Sequence, residues 1–176
     1  MLLLAACGAS STTAPSTSSP STAAGTSTPS SSAATPTSTA AAVSTTCPTS
    51  AEIATLTGTT FPAPQQASST GSLVCSYNDT TSGANLVIEV TAAPATTASA
   101  LKIAAGAAAS AYNVTASSVS GFGSAAYAFI AGDASTNSSG VATSVILILN
   151  GSDLIDITAE LTLADVEAVA THVLGQ

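Results

Sequence analysis

The chain contains no arginine, one lysine and one histidine, and this scarcity of basic side chains excludes several functions. Nine Asp and Glu residues leave a formal net charge of −8, which repels nucleic-acid phosphates and anionic lipid headgroups. We therefore expect no nucleic-acid partner. A serine hydrolase is also disfavoured, because the chain has no G-x-S-x-G motif and its only imidazole, His172, falls in the last turn of a predicted helix. There the imidazole is expected to offset the negative helix end.

Tryptophan and long apolar runs are also missing. No Trp, three Tyr and three Phe leave few aromatic platforms on which a sugar could stack. A membrane-spanning helix needs about 20 apolar residues in succession, and no such run occurs, because alanine supplies much of the mean hydropathy of +0.49. Cys47, Cys75 and the distant His172 lack zinc-ligand spacing. We therefore expect no metal and no other cofactor.

Near its start the chain carries the stretch LLAAC at residues 3–7, which resembles a bacterial lipobox. In a lipobox, small residues precede a cysteine that is lipidated and becomes the mature N-terminus. A complete signal would add a basic region and roughly 7–15 apolar residues, so residues 1–7 are interpreted as a truncated signal or a misassigned start. The alternative is a free or buried Cys7. The lipobox interpretation predicts a protein on the outer face of the cytoplasmic membrane, anchored by lipid on Cys7.

Residues 8–46 have the composition of a linker. All are Gly, Ala, Ser, Thr or Pro except Val43, and such a segment cannot bury enough apolar surface to offset its chain entropy. We expect residues 8–46 to be disordered and to span about 35 Å as a flexible coil. Residues 47–176 are then left to form a single domain.

Three cysteines are an odd number for an exported chain, since disulfides use them in pairs. Lipidation of Cys7 would leave Cys47 and Cys75 to pair, closing a loop of about 29 residues worth roughly 3.6 kcal/mol of chain entropy. The alternative is two buried reduced thiols.

The domain is predicted to alternate helices and strands. Thr49 and Glu52 form a capping box for a first helix that Gly58 ends, and Thr162 caps the last. The second helix should bury Leu101, Ala104, Ala108 and Tyr112, and the third should bury Leu163, Val166, Ala170 and Val173. Helices are predicted within residues 47–58, 95–112 and 162–175, and strands within 72–79, 84–92, 124–133, 141–150 and 153–160.

Turn signals at residues 78–83 and at Asn150-Gly151 predict two hairpins, and the apolar run VILIL suggests a central strand. This order predicts an α+β fold with two layers, a mostly antiparallel sheet of about five strands with three helices packed on it.

The lipobox, the Ser/Thr/Ala/Pro stalk and the stretches CPTSAEIATLTG, CSY and VSGFGSAAY resemble small lipoproteins of actinobacterial envelopes, many without an assigned function. The resemblance covers nearly the whole chain. It implies an envelope location, a Cys47–Cys75 bridge and a two-layer α+β domain similar to mycobacterial lipoproteins of Mog1/PsbP-like fold. It transfers no catalytic residue.

Other candidate sites are weaker. Residues 133–140 place Asp133, Ser135 and Asn137 at alternate positions, but glycine and glutamate are not where a calcium loop needs them, so a polar hairpin loop is expected. Lys102 is expected on a solvent-facing helix surface, away from Ser-Lys chemistry. The pair Gly121 and Gly123 lacks the third glycine of a nucleotide-binding motif.

The carboxylates are expected to be solvated. Asp156 and Glu160 share the outward parity of a strand whose Ile155 and Ile157 face inward. We therefore expect a non-catalytic envelope module that binds a protein, glycan or lipid through hairpin loops at residues 78–83 and 133–140, with an unknown ligand. The alternatives are a carboxylate-only hydrolase such as a glycosidase, which needs two Asp or Glu about 5–9 Å apart, and a lipid carrier with an apolar cavity.

The lipobox interpretation predicts the behaviour of a Cys7→Ser variant. In cells expressing the complete upstream reading frame, loss of the thiol removes the lipidation site, so the protein should move from the detergent phase to the aqueous phase on phase partitioning. An unchanged distribution would contradict lipidation at Cys7.

Overall fold

A computed structural model describes residues 46–132, 135, 137 and 139–175. The elements, in chain order, are α1 (Ser50–Thr57), β1 (Gln65–Ser69), β2 (Ser72–Asn78), β3 (Asn85–Ala92), α2 (Ala98–Ser110), β4 (Ser117–Ser118), β5 (Ala125–Ala131), β6 (Thr143–Asn150), β7 (Asp153–Ala159) and α3 (Leu163–Val173). Among these residues no helix is both long and apolar enough to cross a bilayer.

The strands form one antiparallel sheet in the order β1-β2-β3-β7-β6-β5-β4. The α+β class and the antiparallel pairing are confirmed, but the expected count of about five strands is too low. The two missing strands are the edges. Strand β1 has the sequence QQASS with every side chain exposed, and β4 has only two residues, so neither carries the apolar alternation by which strands are recognised.

The two predicted hairpins are confirmed. Strands β2 and β3 pair through Asn78 and Asn85, and β6 and β7 pair through Asn150 and Asp153. Gly151 has a φ of 62°, which a tight turn requires and glycine adopts without strain.

One face of the sheet carries the larger core, together with α1 and α3. Its strand residues include Ile88, Ile146 and Ile157, each at most 1% exposed, against which α3 packs Val166 and Val169. Burying such side chains contributes roughly 1.5–3 kcal/mol each. The predicted stripe of α3 is confirmed apart from Leu163, which is only partly buried, and Val169 joins it.

Helix α2 packs on β5 and β6 from the opposite face. The alternate residues Val145, Leu147 and Leu149 of β6 belong to this second core with Phe129 and Leu101. The two-layer expectation is therefore wrong, since the domain has three layers, helix on sheet on helix. Strand β6 is buried on both faces, which is why its sequence VILIL is continuously apolar.

The buried stripe of α2 also differs from the expectation. Leu101 is buried as expected, but Ala105 and Ala109 take the places predicted for Ala104 and Ala108. Tyr112 lies beyond the helix and is 55% exposed, with its ring 6.4 Å from that of Phe129. The stripe differs by one residue because alanine on every side of this helix gives no contrast between its faces.

A disulfide joins Cys47, just before α1, to Cys75 in β2, with the two Cα atoms 5.6 Å apart. Beside it, the Tyr77 hydroxyl donates a hydrogen bond of 2.6 Å to the carbonyl of Pro48. Burial raises the pKa of Tyr77 to about 12, with a smaller contribution from the charge of Glu52, so the phenol stays protonated and able to donate. The disulfide and this bond fix the start of α1 to the sheet.

Replacing both Cys47 and Cys75 by alanine should lower the free energy of unfolding by about 3 kcal/mol, because the unfolded chain regains the entropy of an open loop. Urea unfolding under non-reducing conditions measures this. The same loss should follow reduction of the wild-type chain, and an unchanged midpoint in both experiments would contradict the stabilising role.

Gly123 is placed where no side chain fits. Its φ is 51°, and a Cβ added there would clash with the carbonyl oxygen of Leu149. The neighbouring Ser124 donates its backbone N–H to that same carbonyl at 2.7 Å, which holds the turn against β6.

Gly123→Ala should therefore destabilise the fold by more than the roughly 1 kcal/mol that a positive φ alone costs. Gly121→Ala is the matched control, because Gly121 has a φ of 93° but open space around the added Cβ. Thermal melts of the two variants separate the cost of the clash from the cost of a positive φ, and equal melting temperatures would contradict the clash.

Candidate functional site: the open face of the sheet

Helix α2 covers β5 and β6, and in the part of the chain that the structure describes no other helix packs on that face of the sheet. We call the remainder of that face the open face. Its side chains alternate with the large core on the other side of the same strands. The open face comprises Gln65, Ala67, Ser69, Ser72, Val74, Ser76, Asn85, Val87, Glu89, Thr91, Asp156 and Thr158.

Strand register defines the centre of the open face. Val74 lies opposite Glu89, and Glu89 lies opposite Asp156 on β7. The next residues along these strands, Cys75 and Ile88, point the other way and are buried. A strand that buries one side must present its alternate residues on the other. The parity expected for Asp156 is therefore correct.

Several carboxylates elsewhere have structural roles. Glu52 accepts the Thr49 backbone N–H at 2.6 Å, Asp79 accepts the Thr81 backbone N–H at 2.8 Å, and Asp165 accepts the Thr162 hydroxyl at 2.7 Å. Hydrogen bonds, led by the Thr49 backbone bond for Glu52 and the Ser82 side-chain bond for Asp79, lower the pKa of both groups. These bonds cap helices and close a turn.

The open face holds a different kind of carboxylate. Residues directly opposite on antiparallel strands have Cβ atoms about 4.5–5.5 Å apart, so Glu89 and Asp156 are close neighbours of like charge. Burial raises the pKa of Asp156 above its ordinary value, the hydrogen bond from the Thr158 hydroxyl lowers it, and the charge of Glu89 raises it. Asp156 is thus partly buried, and the expectation that its carboxylate is fully solvated is wrong.

A groove of about 210 Å³ continues the open face at the end of β7. It is lined by Asn85, Val87, Thr143, Thr158, Ala159 and Glu160. The Oε2 atom of Glu160 is buried and has no hydrogen-bond partner. Such an atom costs free energy unless a donor or a cation reaches it.

The other sequence candidates are not brought together. His172 lies in the last turn of α3 with Nε2 3.9 Å from Glu52 Oε1, beside a shallow groove lined by residues of α1. The histidine therefore faces α1 at the helix end where it was expected. Lys102 is exposed on α2 as expected, and it lines a separate groove with Ser110 and Tyr127.

In both loops expected to bind a ligand, some of the described side chains bond within or beside their own loop. The carboxylate of Asp79 bonds within the turn at residues 78–83. In the other loop, Asn137 donates through Nδ2 to the Val141 carbonyl at 2.7 Å. Residues 133, 134, 136 and 138 of that loop, together with Cys7 and residues 8–45, lie outside the described residues. Within the described part of the chain, no three His, Cys, Asp or Glu side chains cluster as metal ligands would.

No protein-family model, curated protein or solved structure matches this chain. The likeness to envelope lipoproteins and to the Mog1/PsbP-like fold stays a prediction. The Cys47–Cys75 disulfide is typical of proteins exported to an oxidising compartment and fits an extracytoplasmic location.

The sequence alone could not show that Glu89 belongs beside Asp156. The two residues lie on strands separated in the chain by α2, β4, β5 and β6, and nothing local specifies that β3 and β7 pair. Parity was the only available signal, and it identifies which side chains share a face within one strand.

Asp156→Asn should stabilise the protein at neutral pH. Because folding raises the pKa of Asp156, the folded state disfavours the ionised carboxylate. This destabilisation is complete above the folded pKa and disappears as pH falls below the ordinary value of 3.8. Urea unfolding at several pH values should therefore show a gain for Asp156→Asn that vanishes in acid.

Asp79→Asn is the matched control of opposite sign. Its pKa is lowered by folding, so its carboxylate stabilises the protein above the ordinary value of 3.8 and the contribution is lost in acid. If both variants change the free energy of unfolding in the same direction at neutral pH, the assignment for Asp156 is wrong.

Proposed function

We propose that this protein is a cell-envelope lipoprotein, tethered through a lipid on Cys7, whose folded domain is a non-catalytic binding module acting through the open face. The observation that carries the proposal is that α2 covers β5 and β6, while no described helix covers the same face of β1, β2 and β3. The ligand is expected to be an envelope protein, glycan or lipid.

The side chains of the open face support a binding role. The face combines backbone-ordered strands with small and polar side chains such as Ser76 and Thr91, and with the apolar Val74 and Val87 at its centre. Rigid strands hold contact groups at fixed positions, which lowers the entropy that binding must overcome. On the opposite side of β2, β3 and β7 the alternate side chains form the larger core.

The electrostatics support a partner that tolerates or prefers negative charge. Glu89, Asp156 and Glu160 all lie on this side of the sheet, while the chain's one lysine is on α2. Anionic lipid headgroups and other polyanions would be repelled. A neutral or basic surface is therefore the expected partner.

Lipid carriage is less well supported. The side chains of α3 that face the sheet are 0–2% exposed against Ile146, Ile148, Ile155 and Ile157. Helix and sheet are in direct contact there, whereas a lipid carrier needs them to separate around an apolar cavity.

Site-specific photocrosslinking in native envelopes tests the proposal. A photoreactive residue at Val74, on the open face, should give a discrete adduct. The same residue at Ile103, which is 74% exposed on the outer side of α2, is the matched control and should give none. Equal adducts at both positions, or adducts only at Ile103, would contradict the proposal.

A carboxylate-only hydrolase is the second candidate, favoured by the Glu89–Asp156 pair. A partly buried acid of raised pKa beside a second carboxylate is the arrangement that glycoside hydrolysis uses. In that case Asp156 would act as the general acid and Glu89 as the base or nucleophile.

Glycan substrates separate the two candidates. If the domain is a hydrolase, Asp156→Asn and Glu89→Gln should each abolish turnover without unfolding the protein. If it is a binding module, the wild-type chain should show no turnover, and both variants should alter only the affinity for the partner. Turnover that survives both substitutions would exclude this pair as the catalytic residues.

A further inference from the structure

The groove at the end of β7 carries an inference about ligand chemistry. It deepens the proposed binding function, because Asn85, Val87 and Thr158 belong to the open face as well as to the groove. We propose that the groove binds a primary alkylammonium group, with the Glu160 carboxylate as its counter-ion. The source of that group is either a lysine side chain of a partner or a free small amine.

The first observation is the unmet hydrogen-bonding capacity of Glu160. Its Oε2 atom is buried without a partner, while the backbone N–H of Glu160 is already used, donating to the Asn85 carbonyl at 2.8 Å. The backbone of Glu160 is therefore held, while no described group satisfies its Oε2 atom, and a ligand in the groove that this residue lines can reach the carboxylate only with a small movement of the side chain. A buried acceptor that bears charge is best satisfied by a cationic donor.

The neighbouring groups are also acceptors. The Thr158 hydroxyl donates to Asp156 Oδ1 at 3.1 Å, so its proton is used and its oxygen remains available to accept. Thr143 Oγ1 accepts from Asn137 Nδ2 at 3.1 Å and has a second lone pair. An ammonium group offers three N–H donors, which matches two hydroxyl oxygens and one carboxylate.

The charge of the surroundings favours a cation over a neutral donor. Glu89 and Asp156 lie on the same side of the sheet as Glu160, and the side chain of the single lysine is exposed on α2. Ionised groups of one sign raise the local concentration of the opposite sign.

The shape and lining favour an alkylammonium ion over a metal ion. Calcium takes six to eight oxygen ligands, usually with several carboxylates, whereas one carboxylate lines this groove and no group of three acidic, Cys or His side chains is found among the described residues. Val87 supplies apolar surface along which an aliphatic stem can lie.

Binding can be measured by NMR on the full 176-residue chain. The probes are Nα-acetyl-lysine N-methylamide, its uncharged analogue Nα-acetyl-norleucine N-methylamide, 1,5-diaminopentane and calcium chloride. The lysine probe should shift the backbone amides of Thr143, Thr158 and Glu160 in a saturable, salt-sensitive way, and the norleucine probe should not. Binding of the lysine probe but not of the diamine indicates a protein lysine, and the reverse indicates a free amine; either result supports the proposal.

The matched variants are Glu160→Gln and Glu167→Gln. Both remove one negative charge, but Glu167 is on α3, across the sheet from the groove. Glu160→Gln should weaken amine binding about tenfold or more, the scale of a lost charge-assisted hydrogen bond, and Glu167→Gln should change it less than twofold.

Several results would overturn the proposal. Equal shifts with the norleucine probe would show that the groove does not recognise the charge. Equal losses of amine affinity in both variants would show that only the net charge of the protein matters. Calcium shifting the same amides where no amine does would make the groove a metal site. No shift from any probe would show that the groove binds none of these ligands. The norleucine comparison uses the wild-type chain and holds even if a variant unfolds.

Crosslinking in envelopes and amine binding by the purified chain test the two proposals independently, so one proposal can fail while the other holds. Adducts at Val74 without amine binding would support the binding module and exclude amines as its ligands. Amine binding without adducts would support the groove as an amine site and exclude the open face as a docking surface.

Discussion

Burial of β6 on both faces is the constraint on which the rest of the structure depends. Its even-numbered residues Ile146 and Ile148 pack against the layer of α1 and α3, and its odd-numbered residues Val145 and Leu147 pack against α2. Strand β6 lies inside the sheet and pairs with β5 on one edge and β7 on the other, so the positions of these two strands depend on it. Both cores are joined through this one strand.

The dimensions of α2 then create the open face. A 13-residue helix is about 20 Å long and about 10 Å wide, while seven strands spaced by about 4.8 Å span roughly 29 Å. One helix therefore covers part of this sheet face, and α2 packs on β5 and β6. Strands β2 and β3 are stabilised from the other side, by Ile88, Tyr77 and the disulfide, so their second side is free to carry polar groups.

Local signals predicted the three helices, the five interior strands and both hairpins, because capping residues, turn glycines and apolar alternation act within a few residues. The edge strands β1 and β4 were missed, since they are held by pairing rather than by apolar side chains of their own. The run VILIL predicts a central strand, whereas the second helical layer follows from the packing of α2 on β5 and β6. The candidate site depends on pairing of β3 with β7, and the partial burial of Asp156 follows from that pairing, so neither was accessible from sequence.

The central claim is that the open face contacts a partner in the envelope and the outer side of α2 does not. Hydroxyl-radical footprinting of the protein in intact cells, compared with the purified chain, tests this most directly. The account predicts slower modification in cells at Val74 and Val87, and unchanged modification at Ile103, the α2 residue that is 74% exposed. Equal rates at all three positions in cells and in solution, or protection of Ile103 alone, would contradict it.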